Sequence, residues 1–266
     1  MENSSVSTSH DLTPGVFMYV FIGSVHYTVG FPLNIWALWL IVSTQATRTE
    51  ILTLNLILME ILSSVGFLLY VVDSFSRSFS INRLSLFHQA SVVVGRVLFP
   101  WQVCMDRYLA VVHPVAFIRY KQIQYRGSCL AVLWLFAIGC GLINIFLPMN
   151  FTAVSIFAFA VFLPILSTEI FCSLSIVRIL RRSGPGHKES QEKKEANQQK
   201  RRAVQVICVG LLMLALNNFP FILVPFFNVD TEEFLTAALG LSCLGSPIQA
   251  VLFLSRSGRL SCRSIC

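Results

Sequence analysis

Residues 104–114 read Cys104-Met105-Asp106-Arg107-Tyr108-Leu109-Ala110-Val111-Val112-His113-Pro114. An acid and a base stand side by side where a long, sparsely charged segment ends. A basic stretch with Arg119, Lys121 and Arg126 follows. The segment leading into this pair is mostly apolar and longer than a strand, with His88, Gln89 and Arg96 inside it. Its setting in the chain therefore decides the fold class.

That setting is a membrane. Of 266 residues, 55% are hydrophobic and 12% are charged, with a mean hydropathy of +0.70. A soluble domain carries about 25% charged residues. The charges fall in short windows separated by long apolar runs. A helix needs about 20 such residues to cross the hydrocarbon core. Backbone groups in lipid must pair internally, and continuous rather than alternating runs select helices over a barrel. The runs predict an all-α bundle of seven transmembrane helices at residues 16–42, 51–72, 84–112, 128–148, 152–180, 203–226 and 234–254. A short extracellular tail (1–15), a polar loop (181–202) and a basic tail (255–266) complete the chain. Residues 1–15 lack the basic start of a cleavable signal, so the first span is expected to direct insertion.

Lys and Arg set orientation. One side of the predicted bundle holds 17 of the 20 basic residues, at positions 48, 107–126, 178–202 and 256–263; Arg77 and Arg83 lie on the other, and Arg96 lies inside a span. The asymmetry predicts an outside N-terminus and a cytosolic C-terminus. The glycosylation sequons at Asn3 and Asn150 fall on the predicted outside. The net charge of +7 is then a cytosolic rim facing anionic membrane lipid and does not indicate nucleic acid.

Several polar residues interrupt the spans. Asn34 follows Pro32 in the first and is expected to make a buried polar contact. Glu60 lies roughly 14 Å into the second span, and Arg96 roughly 16 Å above Arg107 in the third, at about 1.5 Å per residue. Charges at matching depth are expensive in lipid unless they pair. The two predict an internal ion pair; the alternative is Arg96 in a water-filled cavity beside an uncharged Glu60. Pro100, four residues after Arg96, frees that residue's carbonyl. Trp134 lies in the fourth span, and Glu169 in the fifth is either a second polar site or a structural acid. Pro164, Pro220 and Pro247 mark kinks in the last three spans, with Asn217 and Asn218 before Pro220 and Ser246 before Pro247. Ser183-Gly184-Pro185-Gly186 ends the fifth helix. Cys262 and Cys266 in the tail are palmitoylation candidates.

No metal-ligand spacing, phosphate loop or nucleophile motif appears. The histidines (His10, His26, His88, His113, His187) are scattered. An enzyme, a metal and a cofactor are therefore not expected.

Asp106-Arg107-Tyr108 at the end of a third span, together with Asn34, Trp134, Pro164, Pro220 and Pro247, resembles the rhodopsin-like (class A) G-protein-coupled receptors. Gly30-Phe31-Pro32-Leu33-Asn34 and the run from Asp106 to Pro114 look closest to their purinergic and protease-activated branch. The resemblance implies a receptor for an extracellular ligand that acts on a heterotrimeric G protein. It implies that Asp106 restrains Arg107 and that Arg107, with Tyr108 and Pro114 beside it, faces the G protein. Departures accompany it. Glu60 stands where the family has Asp, and Arg96 where a small polar residue helps bind sodium, implying that the guanidinium replaces the ion. Asn82 stands near one outer-disulfide position, Asn218 replaces an aromatic switch, and Ser246 and Ala250 replace two seventh-span motif residues. Lys200 would repel Arg107 where an acid could lock it. These leave a second reading open, a non-coupling seven-helix binding, decoy or partner protein.

Overall fold

The computed structural model describes residues 14–43, 50–76, 78–120, 122–147, 156–182, 210, 240–243 and 245–256. Every regular element among them is helical. The first span is α1 (Pro14–Val25), a π-helical turn (His26–Gly30) and α2 (Phe31–Ser43) in direct succession. Then come α3 (Ile51–Ser76), α4 (Phe79–Val112), the short α5 (Pro114–Tyr120) and α6 (Ile123–Phe146). A second π turn (Ala158–Phe162) leads into α7 (Leu163–Arg182), and α8 covers Gly245–Arg256.

Proline sets many of these boundaries. The residue before a proline is disfavoured in the helical region. Accordingly α4 stops at Val112, His113 leaves the helix (φ −127°, ψ 65°) and Pro114 opens α5, where its missing N–H costs nothing. Leu147, just before Pro148, ends α6 in the same way (φ −129°, ψ 79°). Both π turns lie just ahead of a proline, Pro32 and Pro164. Pro32 cannot donate to the fourth residue back, and Phe31 N–H instead reaches the carbonyl of His26, five residues back. Pro100, by contrast, sits inside an uninterrupted α4.

Four helical stretches are long and apolar enough to cross a membrane: Phe17–Ser43, Ile51–Asp73, Gln124–Phe146 and Phe159–Ile179. They overlap the first, second, fourth and fifth expected spans. Between 22% and 44% of each apolar window is buried inside the bundle, so most of each faces outward. Phe17, Trp39, Val132, Leu135 and Phe171 all point away from the protein. Apolar surface on this scale is consistent with helices that face lipid.

The third expected span, 84–112, lies within α4 but is not among the four. Its 34 residues extend about 51 Å at 1.5 Å per residue, so length is not the reason. His88, Gln89 and Arg96 lower its hydropathy. This helix tolerates them because it is central: it packs against α3, α6 and α7, and Val92 and the run from Val94 to Phe99 are buried. Leu52, Met59, Val94, Leu98, Phe99, Leu130, Leu133 and Ala137 form the core between α3, α4 and α6. Ala37, Ile41, Ile57 and Leu254 form a second cluster between α2, α3 and α8. The sixth expected span, 203–226, lies outside the described residues except for Gly210; the seventh is described from 240 and is helical there.

Candidate functional site

The polar residues of the bundle meet at one level. Glu60 on α3 and Arg96 on α4 are 3% and 6% exposed, and Arg96 Nη2 donates to Glu60 Oε2 at 2.7 Å. The ion-pair reading of the sequence is thus the arrangement found. Arg96 Nη1 also donates to Ser242 Oγ at 3.3 Å and to Cys243 Sγ at 3.5 Å. One guanidinium therefore joins α3, α4 and residues 240–243.

The network continues into the first span. Ser64, one turn after Glu60, donates to the Glu60 carbonyl (3.1 Å) and lies 3.0 Å from His26 Nε2. His26 is 1% exposed and opens the π turn. Asn34, also 1% exposed, donates from Nδ2 to the Gly30 carbonyl at 2.8 Å, which supplies its buried polar contact. His26, Ser242 and Cys243 were not singled out by sequence. A signal existed for one of them: His26, Gly30 and Asn34 recur every four residues, the spacing of a single helix face, and all three are buried.

Two further contacts fix the helices around this centre. Asn55 Nδ2 donates to the Ile51 carbonyl, and its Oδ1 accepts from Trp134 Nε1 at 2.8 Å; Trp134 also packs on Phe99, with ring centres 5.0 Å apart. Trp101 Nε1 donates to Thr168 Oγ1 at 2.9 Å across α4 and α7. Beside that contact Glu169 is 1% exposed, and neither carboxyl oxygen has a hydrogen-bond partner among the described residues.

At the far end of α4, Asp106 Oδ1 accepts from Arg126 Nη2 of α6 at 2.6 Å, a partner on the next helix that the sequence does not single out. Arg126 also lies over the Phe117 ring of α5, 5.5 Å from its centre. Arg107 is exposed. Tyr108 Oη lies 3.4 Å from His113 Nε2, and Pro114 is exposed.

Pro164 and Pro247 lie near the starts of α7 and α8, and Ser246 is placed in the α8 backbone beside Pro247. Pro220, Asn217, Asn218, Lys200, Asn3, Asn150, Cys262 and Cys266 lie outside the described residues. Among the described residues no cluster of His, Cys, Asp or Glu could hold a metal ion, and Cys104, Cys129, Cys140, Cys172 and Cys243 are free thiols. No known protein-family model matches the chain, and no curated protein matches it significantly.

Proposed function

We propose that the chain is a rhodopsin-like G-protein-coupled receptor of the plasma membrane, with seven spans, its N-terminus outside and its C-terminus in the cytosol. It passes the binding of an extracellular ligand to a heterotrimeric G protein. The observation that carries the reading is the buried guanidinium of Arg96, which ties α3, α4 and residues 240–243 together on the same helix that ends in Asp106-Arg107-Tyr108. Helices joined through a shared polar centre form a unit whose arrangement can be biased from one end and read at the other. An agonist must bind the active arrangement better than the resting one; tight binding alone shifts nothing. At the read-out end, Arg107 is exposed and offers a fork of N–H donors to a carbonyl-rich partner.

One observation favours the second reading, a non-coupling seven-helix binding or partner protein. The acid expected to restrain Arg107 is committed to Arg126. The two readings separate in one assay. Basal cyclic-AMP and calcium signals are compared for the wild type and Arg107→Ala at equal surface level. The receptor reading expects a signal that Arg107→Ala lowers. Identical signals from both proteins with every G-protein class would sink it in favour of the second.

A further inference from the structure

The end of α4, the helix α5 and the start of α6 line a groove of about 860 Å³. Its walls divide by chemistry. Val112, Pro114, Val115 and Ala116 supply apolar surface, and Arg119, His113, Tyr120 and Tyr125 supply polar groups. Among the described residues no carboxylate lines it. The nearby acid, Asp106, is neutralised by Arg126, so the Arg119 charge at the groove is uncompensated by it. A cation flanked by aromatic hydroxyls suits a phosphate; the apolar wall beside it suits a hydrocarbon chain.

The groove's level in the bundle selects the source of that phosphate. The apolar stretch of α6 able to cross a membrane begins at Gln124, and Tyr125, its second residue, lines the groove. The cavity therefore sits where hydrocarbon gives way to headgroups. Tyr side chains favour that boundary, and basic side chains reach from it to phosphate while their stems stay in apolar surroundings. Val115 and Ile118 of α5 are 79% and 71% exposed. In water they would be an unexplained apolar patch; at the boundary they lie against acyl chains.

We propose that this groove is a binding site for an anionic phospholipid. Arg119 holds the phosphate, the Tyr125 hydroxyl donates to it, and Val112, Pro114 and Val115 receive the upper acyl chain. The inference rests on the transmembrane placement of α4 and α6, and Pro114, expected at the G-protein face, also lines this groove.

The test uses the purified full chain in detergent and native mass spectrometry of lipid adducts. The probes are phosphatidic acid, phosphatidylcholine with the same acyl chains, and glycerol phosphate as a soluble source of the same headgroup. The expected result is a retained phosphatidic acid adduct at concentrations where phosphatidylcholine gives none. Arg119→Gln should weaken it about tenfold, as loss of one charge-assisted contact requires. Tyr125→Phe should weaken it less. Arg178→Gln, which removes an equally exposed charge from α7, should leave it unchanged. Equal retention of the two lipids, an unchanged adduct in Arg119→Gln, or an equal loss in Arg178→Gln overturns the site. Displacement by glycerol phosphate at concentrations matched to the lipid overturns the assignment to a lipid and makes the ligand a soluble phosphate. None of these readings depends on signalling, so a chain that fails to couple still tests the groove.

Discussion

The Glu60–Arg96 pair makes a prediction with a definite size. Both side chains are about 95% buried and their atoms are 2.7 Å apart. Charge centres about 4 Å apart attract by about 4 kcal/mol at the effective dielectric that suits protein sites. Removing one partner loses that attraction and strands the other charge, which costs about 3–5 kcal/mol for a buried pair. Replacing both with apolar residues removes two desolvation penalties as well, and the net change is then near zero or favourable. The experiment is a double-mutant cycle on purified protein: wild type, Glu60→Leu, Arg96→Leu and the double variant, followed by thermal unfolding in one detergent. Each single variant should be destabilised severely, Arg96→Leu slightly more because the contacts to Ser242 and Cys243 go with it. The double variant should recover most of the loss, giving a coupling of about 3 kcal/mol or more between contacting sites. A charge exchange, Glu60→Arg with Arg96→Glu, should recover less, because a carboxylate at 96 is shorter than the guanidinium that reaches Glu60, Ser242 and Cys243 together. Single losses that simply add in the double variant would refute direct pairing.

Other sites offer independent checks. A Cβ at Gly141 would lie 2.8 Å from the Phe87 carbonyl oxygen and overlap Ser91 Oγ, so Gly141→Ala must push α4 and α6 apart; a loss of about 1–3 kcal/mol in thermal unfolding is expected, and no loss would mean the two helices are not in contact there. Trp134→Phe keeps a ring against Phe99 but removes the donor to Asn55 Oδ1. Stranding that acceptor should cost about 1–3 kcal/mol, with little further loss when Asn55→Ala is added. Glu169 has no hydrogen-bond partner among the described residues, so Glu169→Met, similar in size, should raise the melting temperature; a marked fall would reveal a partner that holds the carboxyl. Because the Arg96 guanidinium already sits against Glu60, replacing sodium by an organic cation at constant ionic strength should leave the melting temperature unchanged. A sodium-dependent rise would show that an ion, not Arg96, balances Glu60.

What the sequence made legible follows from which interactions are local. The helix end at Val112 is readable because proline restricts its predecessor whatever the tertiary context; the same restriction ends α6 at Phe146, two residues short of the expected end at 148. The apolar spans were readable for the same reason, since length and composition suffice. Glu60 and Arg96 could be matched because depth along a helix is fixed by its rise, and equal depth brings two charges together when their helices are neighbours. Depth does not reveal azimuth. Ser242 and Cys243 are therefore not legible in the sequence: nothing local says which face of that segment meets Arg96. The Asp106–Arg126 pair is not legible either, because it depends on how α6 approaches the end of α4. His26 is one of five scattered histidines in the sequence, yet its four-residue spacing to Gly30 and Asn34 places it on the buried face. The groove beside α5 could not be read at all, because it exists only where the ends of three helices come together.

These contacts distribute rigidity unevenly along α4. Two ion pairs pin it at two depths, Glu60–Arg96 within the bundle and Asp106–Arg126 at its end. Rotation of α4 about its own axis would break one or both, at several kcal/mol for the buried pair. Its contacts to α3 and α6 also run through the largest apolar cluster. The seam with α7 is different. Among the described residues it holds no ion pair: it has the Trp101–Thr168 hydrogen bond, a Tyr108–Phe171 ring contact, the small cluster around Val97 and Phe162, and soft sulfur contacts from Cys104 to Ser173 and the Glu169 carbonyl and from Cys172 to Met105. Sulfur contacts are weak and adaptable, and the acid beside them, Glu169, is bound to no hydrogen-bonding group among the described residues. Relative displacement of α4 and α7 therefore costs less than displacement at either of the other two seams. Any rearrangement that alters the surroundings of Arg107 while α4 stays intact is cheapest along that seam, with Pro100 and the π turn before Pro164 supplying the backbone freedom on its two sides.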